Sequence, residues 1–513
     1  MNKRFISINT KTSLSSIVLS FLLIFTHGLL ISQKVDIPPG KDMNPAHMYT
    51  IWTGNEVSGY YIVNENRKLN DSLEYNLDIL DLAFKIVNEN HFIVHISSEL
   101  LKVSCNGSRI LILFNEKATK RMRGYYFNMN GTQVSQIMRD GEISKVDIYL
   151  KRIQLFNIPL TGFILENVND AGIKQYEYVT NNGEKEWSIV SAELQVDGAN
   201  INPDNFELFH SDSNIIVFSV QSKYFRIKPT GSKSNIYYKI FLASSGKELF
   251  TINCGLSDGY EWPIDFSVIG NKIEVTGEYY EFGGDSYTYF KKVRGIYKQD
   301  FDFLGDKIDE KFVSYEKDLT QKIINPEAAI DLDKKSIELY DIVHTQNGKY
   351  YVVAEYIYVK YVVNHTGKIA DLRQREYITM ELDSSFNLLQ GNIFTKSAMP
   401  YLPTINYENF NNRDIYQRKN SDSRFQFTLF DKDGKTFTTL AFTCYFKNRE
   451  YYADIVCFYL NRESEFNMTT LKYEPFNVNT YYLILPSKIG YAAYYIINTG
   501  RRTYDLNLGK FDF

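Results

Sequence analysis

Residues 271–280 read NKIEVTGEYY, and residues 348–357 read GKYYVVAEYI. Each runs from a turn through Lys272 or Lys349 into an apolar strand, then a small residue, Glu278 or Glu355, and a tyrosine. Short runs of β-branched and aromatic residues specify extended backbone, because such side chains pack well on a pleated surface. Weaker echoes stand at 107–116 (GSRILILFNE) and 59–65 (GYYIVNE). A second element also recurs: an aromatic strand, an Asp/Asn/Gly turn, then another strand. It lies at 125–137, 238–252, 297–308, 377–389 and 427–440. Neighbouring signals fall about 40–65 residues apart, close to the repeat of a four-stranded propeller blade with longer loops.

The fold expected is therefore all-β, a β-propeller of about six to eight antiparallel four-stranded blades. It is expected to fill residues 50–513 as one domain, after a signal peptide at 1–32 and a linker at 33–49. Strands are read at 59–64, 109–114, 214–220, 236–242, 349–363 and 481–485. Turns are read at Asn130-Gly131, Asn182-Gly183, Ser245-Gly246, Asn347-Gly348 and Asp431 to Lys435, where Gly or Asn supplies a positive φ. Tyr315, Leu319 and Ile323 recur at helical spacing, with Ser314 as a cap and Pro326 beyond, so one short helix is expected near 315–324. An open ring leaves strand edges unpaired. The terminal segment 503–513 (TYDLNLGKFDF) is therefore expected to complete a blade with N-terminal strands. Tandem β-sandwiches are the alternative architecture. An outer-membrane barrel would suit the apolar N-terminal run, the aromatics and the terminal Phe513, but the turns show no steady ten-residue alternation.

Lys3, Arg4 and Lys11 precede an apolar run from Ile17 to Ile31, interrupted by Ser20, Thr26, His27 and Gly28. That run is too short for a good membrane span and suits a cleaved export signal, with Gln33 as the mature N-terminus. The expected location is thus periplasmic or extracellular, with no stable membrane insertion after cleavage. Removing the three cations takes the formal charge from −4 to −7. The chain has 44% apolar and 23% charged residues, an ordinary globular balance, and no basic block, so no nucleic-acid partner is expected. Aromatics are abundant, 40 Tyr and 35 Phe among 513 residues, which again favours strands. Cys105, Cys254, Cys444 and Cys457 form no CxxC or metal-type pair. A tight turn near Asn448 places Cys444 opposite Ala453, so buried free thiols are expected.

Several segments resemble an uncharacterised family of exported, propeller-like bacterial proteins of about this size. They are 187–194 after a lone Trp, 224–242 (YFRIKPTGSKSNIYYKIFL), 276–296, and 341–357 (DIVHTQNGKYYVVAEYI). The resemblance covers most of residues 50–400 and implies export and a propeller-like fold. It brings no assigned activity and no catalytic residue.

Several motifs look chemical and are read otherwise. Gly255-Leu256-Ser257-Asp258-Gly259 matches the nucleophile elbow of hydrolases, but Tyr260, Trp262 and Pro263 begin no helix. His91 and His95, on a strand, stand roughly 13 Å apart, too far to share a metal. His47, His210, His344 and His365 are scattered and are read as core or surface residues. Asp431, Asp433 and Gly434 open like a calcium loop but lack its distal glutamate. The sequons at Asn70, Asn106, Asn130, Asn364 and Asn467 are read as chance in an Asn-rich chain. No metal and no cofactor is expected. Glu278 and Glu355 occupy matching repeat positions, and paired carboxylates serve glycosidases at suitable separation. Trp187 and Trp262 are two of only 3 tryptophans and suit either a sugar platform or a core. The function expected is a non-catalytic exported binding or scaffold protein of the bacterial cell envelope, with an unknown protein or glycan as ligand. The alternative is a carbohydrate-active hydrolase using channel carboxylates.

Overall fold

In the computed structural model the described residues run from Met48 to Lys510, leaving out chiefly 1–47, 141–152, 223–235, 282–292, 324–334, 396–404, 407–424 and 473–479. The expected signal peptide, and nearly all of the expected linker, lie outside the described residues.

The described strands form eight antiparallel sheets, each built from consecutive strands, spanning 48–95, 98–140, 153–190, 201–253, 259–314, 335–395, 425–472 and 480–510. We call them blades one to eight, the upper end of the expected range. All but the last have four strands in sequence order, blade six adds the short Ile405–Asn406, and blade eight has three. The two repeated signals acquire a meaning here. The segments at 59–65, 107–116, 271–280 and 348–357 are the second strands of blades one, two, five and six. Four of the five turn units, from 125 to 389, are hairpins between third and fourth strands. The fifth, 427–440, joins a first strand to a second.

Period-2 alternation explains why the second strands read as unbroken apolar runs, since both faces of each blade are covered. Ile110, Ile112 and Phe114 pack with Tyr61 and Phe92 of blade one, while Leu111 and Leu113 pack with Phe163 and Val179 of blade three. The same arrangement continues around the ring. Tyr176 meets Phe218 between blades three and four, Tyr238 meets Phe266 between four and five, and Val313 clusters with Val352 between five and six. Tyr351 meets Phe437 between six and seven. Leu429 of blade seven and Leu485 of blade eight pack on Tyr60 and Phe84 of blade one, which closes the ring. Each fully buried aromatic contributes roughly 2–3 kcal/mol to this stacking.

Closure differs from the sequence expectation. Thr503–Lys510 pairs with Tyr491–Asn498 inside blade eight, and Met48–Thr53 pairs with Glu56–Lys68 inside blade one. Among the described residues, blades eight and one therefore meet through side chains and not through a shared pair of strands. One specific link is the Tyr60 hydroxyl, which donates to the Pro486 carbonyl at 2.9 Å.

The expected helix is a single distorted turn, Tyr315–Leu319 followed by Thr320–Lys322, and its cap forms as read: Ser314 Oγ accepts from the Lys317 N–H. Tyr315 and Leu319 are buried at the seam of blades five and six. Third-to-fourth hairpins place a residue at positive φ: Gly131, Gly183, Gly246 and Gly305, but Phe84 and Phe386 in blades one and six. A side chain there costs about 1–2 kcal/mol. Burial of each ring, against Tyr60 and Tyr350 at 5.0 Å, offsets that cost.

Candidate functional site

The first strands of neighbouring blades approach one another, as at blades one and two, two and three, and six and seven, which puts them innermost in the ring. Most carry a β-bulge at one shared position: Leu100/Lys102, Leu208/His210, Pro263/Asp265, Leu339/Asp341 and Phe425/Phe427. A bulge leaves a backbone donor outside the ladder and re-aims the next side chain. At the seam of blades five and six that donor is satisfied by a side chain. Glu278 Oε1 accepts the Leu339 N–H at 2.9 Å, and Oε2 accepts the Tyr280 hydroxyl at 2.6 Å. Between blades three and four the Tyr176 hydroxyl stands at the equivalent place. It donates to the Phe206 carbonyl at 3.2 Å and lies beside the Leu208 N–H.

Glu355 is fully buried and accepts the Tyr340 hydroxyl. Its strand neighbours Tyr351 and Val353 pack on blade seven, whereas Val352 and Ala354 pack on blade five. Glu355 therefore faces blade seven. Glu278 reaches blade six from the blade-five side. The sheet of blade six lies between the two carboxylates, so the structure does not bring them together. The tryptophans are also apart. Trp187 stacks on Tyr178 at 5.3 Å, donates to the Ala243 carbonyl at 3.0 Å, and lies under the Gly246 turn. Trp262 packs into the core between blades four and five.

Residues that the sequence reading passed over stand directly after the bulges. His210 Nδ1 is 3.6 Å from Asp265 of blade five, and its Nε2 is 3.4 Å from Asp212. Burial opposes the charge on His210, but the two carboxylates outweigh it and hold its pKa above the ordinary value. Asp265 is pushed up, chiefly by burial, while Asp212 is held low by His210 and by the N–H groups of Asn214 and Ile215. Asp341 of blade six accepts the Thr428 hydroxyl of blade seven in the same way. A signal for these positions exists in the sequence: Glu99-Leu100-Leu101-Lys102, Glu207-Leu208-Phe209-His210 and Glu338-Leu339-Tyr340-Asp341 share one order, Glu-Leu-apolar-charged.

A second charged group lies near the turns of the same seam of blades five and six. Lys298 Nζ is 2.9 Å from Asp300 and 3.8 Å from Glu274, and Glu274 accepts the Tyr350 hydroxyl at 2.6 Å. His344 stacks on Tyr350 at 4.2 Å and stands 3.6 Å from Glu274. Burial, with Lys272 and Lys298 nearby, pushes the His344 pKa down to about 4, so it is neutral at pH 7.

The decoys resolve by context. A strand, Gly259–Ile269, and not a helix, follows the elbow-like pentapeptide, whose Ser257 lies outside the described residues. His91 and His95 bond Asn76 and Ser97 separately, at 2.7 Å each. Asp431 Oδ1 accepts the N–H groups of Lys435 and Thr436, closing a hairpin turn, while Asp433 lies outside the described residues. The Asn106 amide is buried between blades two and three, donating to Gly162 and Asn181. Cys105, Cys254 and Cys457 are buried free thiols, and Cys444 pairs with Ala453 along the backbone as anticipated.

An open cleft of about 520 Å³ lies where blades seven, eight and one meet. Glu56 and Leu82 of blade one, Leu429, Asp431, Thr438 and Tyr459 of blade seven, and Ser487, Lys488 and Ile489 of blade eight line it. Its size falls in the range of about 300–1,000 Å³ typical of small-molecule sites.

A family of unknown function (DUF6770) matches the chain over residues 14–511. The chain belongs to that family. No curated protein matches this family member. Solved structures similar to it include the polysaccharide lyase Uly1, at 10% identity over 80% of this chain and 90% of that one, with a TM-score of 0.32. The WD40 domain from Toxoplasma gondii coronin matches at 8% identity over 80% of each chain, with a TM-score of 0.30. Prolyl oligopeptidase B from Galerina marginata matches at 8% identity over 86% of this chain, with a TM-score of 0.37. The chain spans about half the length of that peptidase, 54%.

Proposed function

We propose that the protein is a non-catalytic, exported binding or scaffold protein of the bacterial cell envelope, working through the ring face on which the cleft opens. The observation that carries this reading is the placement of Glu278 and Glu355. Each is buried and holds hydrogen bonds at a seam, and the blade-six sheet separates them. Glycoside hydrolysis by two carboxylates needs both within roughly 10 Å, with a sugar between them, and that geometry has no room here. The propeller fold by itself assigns nothing, since it hosts many activities. Export is supported by the basic and then apolar order of residues 3–31.

The test is a screen of the full chain against glycans for binding and for turnover, with cell fractionation and N-terminal sequencing of the mature form. Binding without product, and a mature N-terminus near Gln33, is the expected outcome. Hydrolysis lost in Glu278→Gln or Glu355→Gln overturns the binding reading and restores the hydrolase.

A further inference from the structure

We infer that the cleft between blades seven and one, floored by the blade-eight turn, is a binding site for a short neutral oligosaccharide. This rests on the binding reading above and adds the ligand's chemical class. The cleft lies where blade eight, three-stranded among the described residues, meets blades seven and one, and Ser487, Lys488 and Ile489 of its turn line it.

The lining is apolar with hydroxyl and carboxylate oxygens set into it. Thr438 is fully buried in the blade-seven wall, and its hydroxyl has no hydrogen-bond partner among the described residues. An unmet buried hydroxyl costs roughly 1–3 kcal/mol. A ligand hydroxyl entering the cleft satisfies it. Glu56 of blade one is an acceptor for a further ligand hydroxyl, Asp431 adds negative charge while its carboxylate closes the hairpin turn, and Lys488 offers donors from the floor. Two carboxylates against one ammonium disfavour a phosphate or carboxylate ligand. Buried oxygens disfavour a purely aliphatic one, which would leave them unpaired. Leu82, Leu429 and Tyr459 supply apolar surface for the C–H faces of a sugar ring. A neutral polyol with apolar faces is the chemistry that meets both halves of this lining.

The test is isothermal titration of the full chain with neutral tetrasaccharides of hexose and of N-acetylhexosamine, using wild type, Thr438→Val and Glu56→Gln. At least one tetrasaccharide is expected to bind, with affinity lowered tenfold or more in each variant. Thr438→Val keeps the shape and removes the unmet hydroxyl, so its thermal midpoint should be equal to or above wild type. That separates lost binding from lost folding. Binding that both variants leave unchanged overturns this site while the binding-protein reading stands. A titration in which no tetrasaccharide binds, but spermidine or a neutral tetrapeptide does and both variants weaken it, overturns the ligand class and again spares that reading. No binding by any of these probes overturns the proposal. Cleavage of a bound saccharide overturns the proposal and the reading beneath it.

Discussion

At the seam of blades five and six, Glu278 holds the Leu339 N–H, Lys298 lies between Asp300 and Glu274, and Tyr315 and Leu319 fill the space beside them. At the seam where blades seven, eight and one meet, apolar packing of Leu429, Leu485 and Tyr60 leaves a cleft of about 520 Å³. Both seams face the same problem, covering the second face of each sheet. The first solves it with apolar packing and a side chain that satisfies a bulged strand. The second joins blade one to a blade that has three strands among the described residues. Polar satisfaction and dense packing rigidify a seam, whereas the place where the ring is completed retains room for a ligand.

The comparison breaks most drastically if the closing blade is cut. Deleting 503–513 removes the third strand of blade eight and exposes the edge of Tyr491–Asn498. Aggregation or loss of a single cooperative transition is expected, read by chemical denaturation and light scattering. A truncated chain that melts like the full one shows that the third strand is not needed for closure.

Next in size is Glu278→Ala, which takes the side-chain acceptor from the buried Leu339 N–H and removes one partner of the Tyr280 hydroxyl. We expect a loss of roughly 2–4 kcal/mol of unfolding free energy, measured by denaturant titration. Glu278→Gln keeps one acceptor and should lose less. Equal losses from the two would mean that the carboxylate acts through its volume alone.

A smaller effect separates the seams by pH. His344 has a folded pKa of about 4, below its ordinary value near 6.5, so its contribution is full above pH 6.5 and is lost as pH falls toward 4. Asp78 of blade one lies on the face of its strand opposite Leu77 and Ile79, toward the closing seam. Burial, with Glu89 adding, pushes its pKa up to about 6. Its contribution is full below pH 4 and is lost as pH rises through 6. His344→Asn should therefore flatten the rise of stability between pH 4.5 and 6.5, and Asp78→Asn should stabilise at pH 7 more than at pH 4.5. Unfolding curves at these pH values decide the matter. Slopes of the same sign for both variants would place the two groups in one electrostatic environment.

Much of this was legible in the residues. The runs RILILF and NIIVFSV mark strands buried on both faces, the Asn-Gly and Asp-rich punctuation marks hairpins, and Ser314, Tyr315 and Leu319 mark the helical segment at 315–322, all from local propensity and period. Glu278 and Glu355 were rightly read as equivalent positions. Equivalence by repeat gives the same place in successive blades, and each such residue points to the same side of its own sheet, so a sheet lies between equivalent residues and they do not meet. The Glu-Leu-apolar-charged order at the bulges was readable but went unread, because a bulge is defined by the partner strand and not by its own residues.

What the sequence determined by itself is therefore the class of the fold, the identity of the second strands and the chemistry of the turns, since these depend on contacts within a few residues. Tertiary structure alone decided the count of eight blades, the manner of closure and the place of the cleft. The physical reason is that a blade's stability comes from its neighbours' faces, and the last blade has a neighbour, blade one, more than four hundred residues away in the chain. Tyr60 and Pro486 bond across that distance. No local pattern in 513 residues encodes which two sheets will share a face; only the ring, once folded, leaves Thr438, Glu56 and Lys488 around one space.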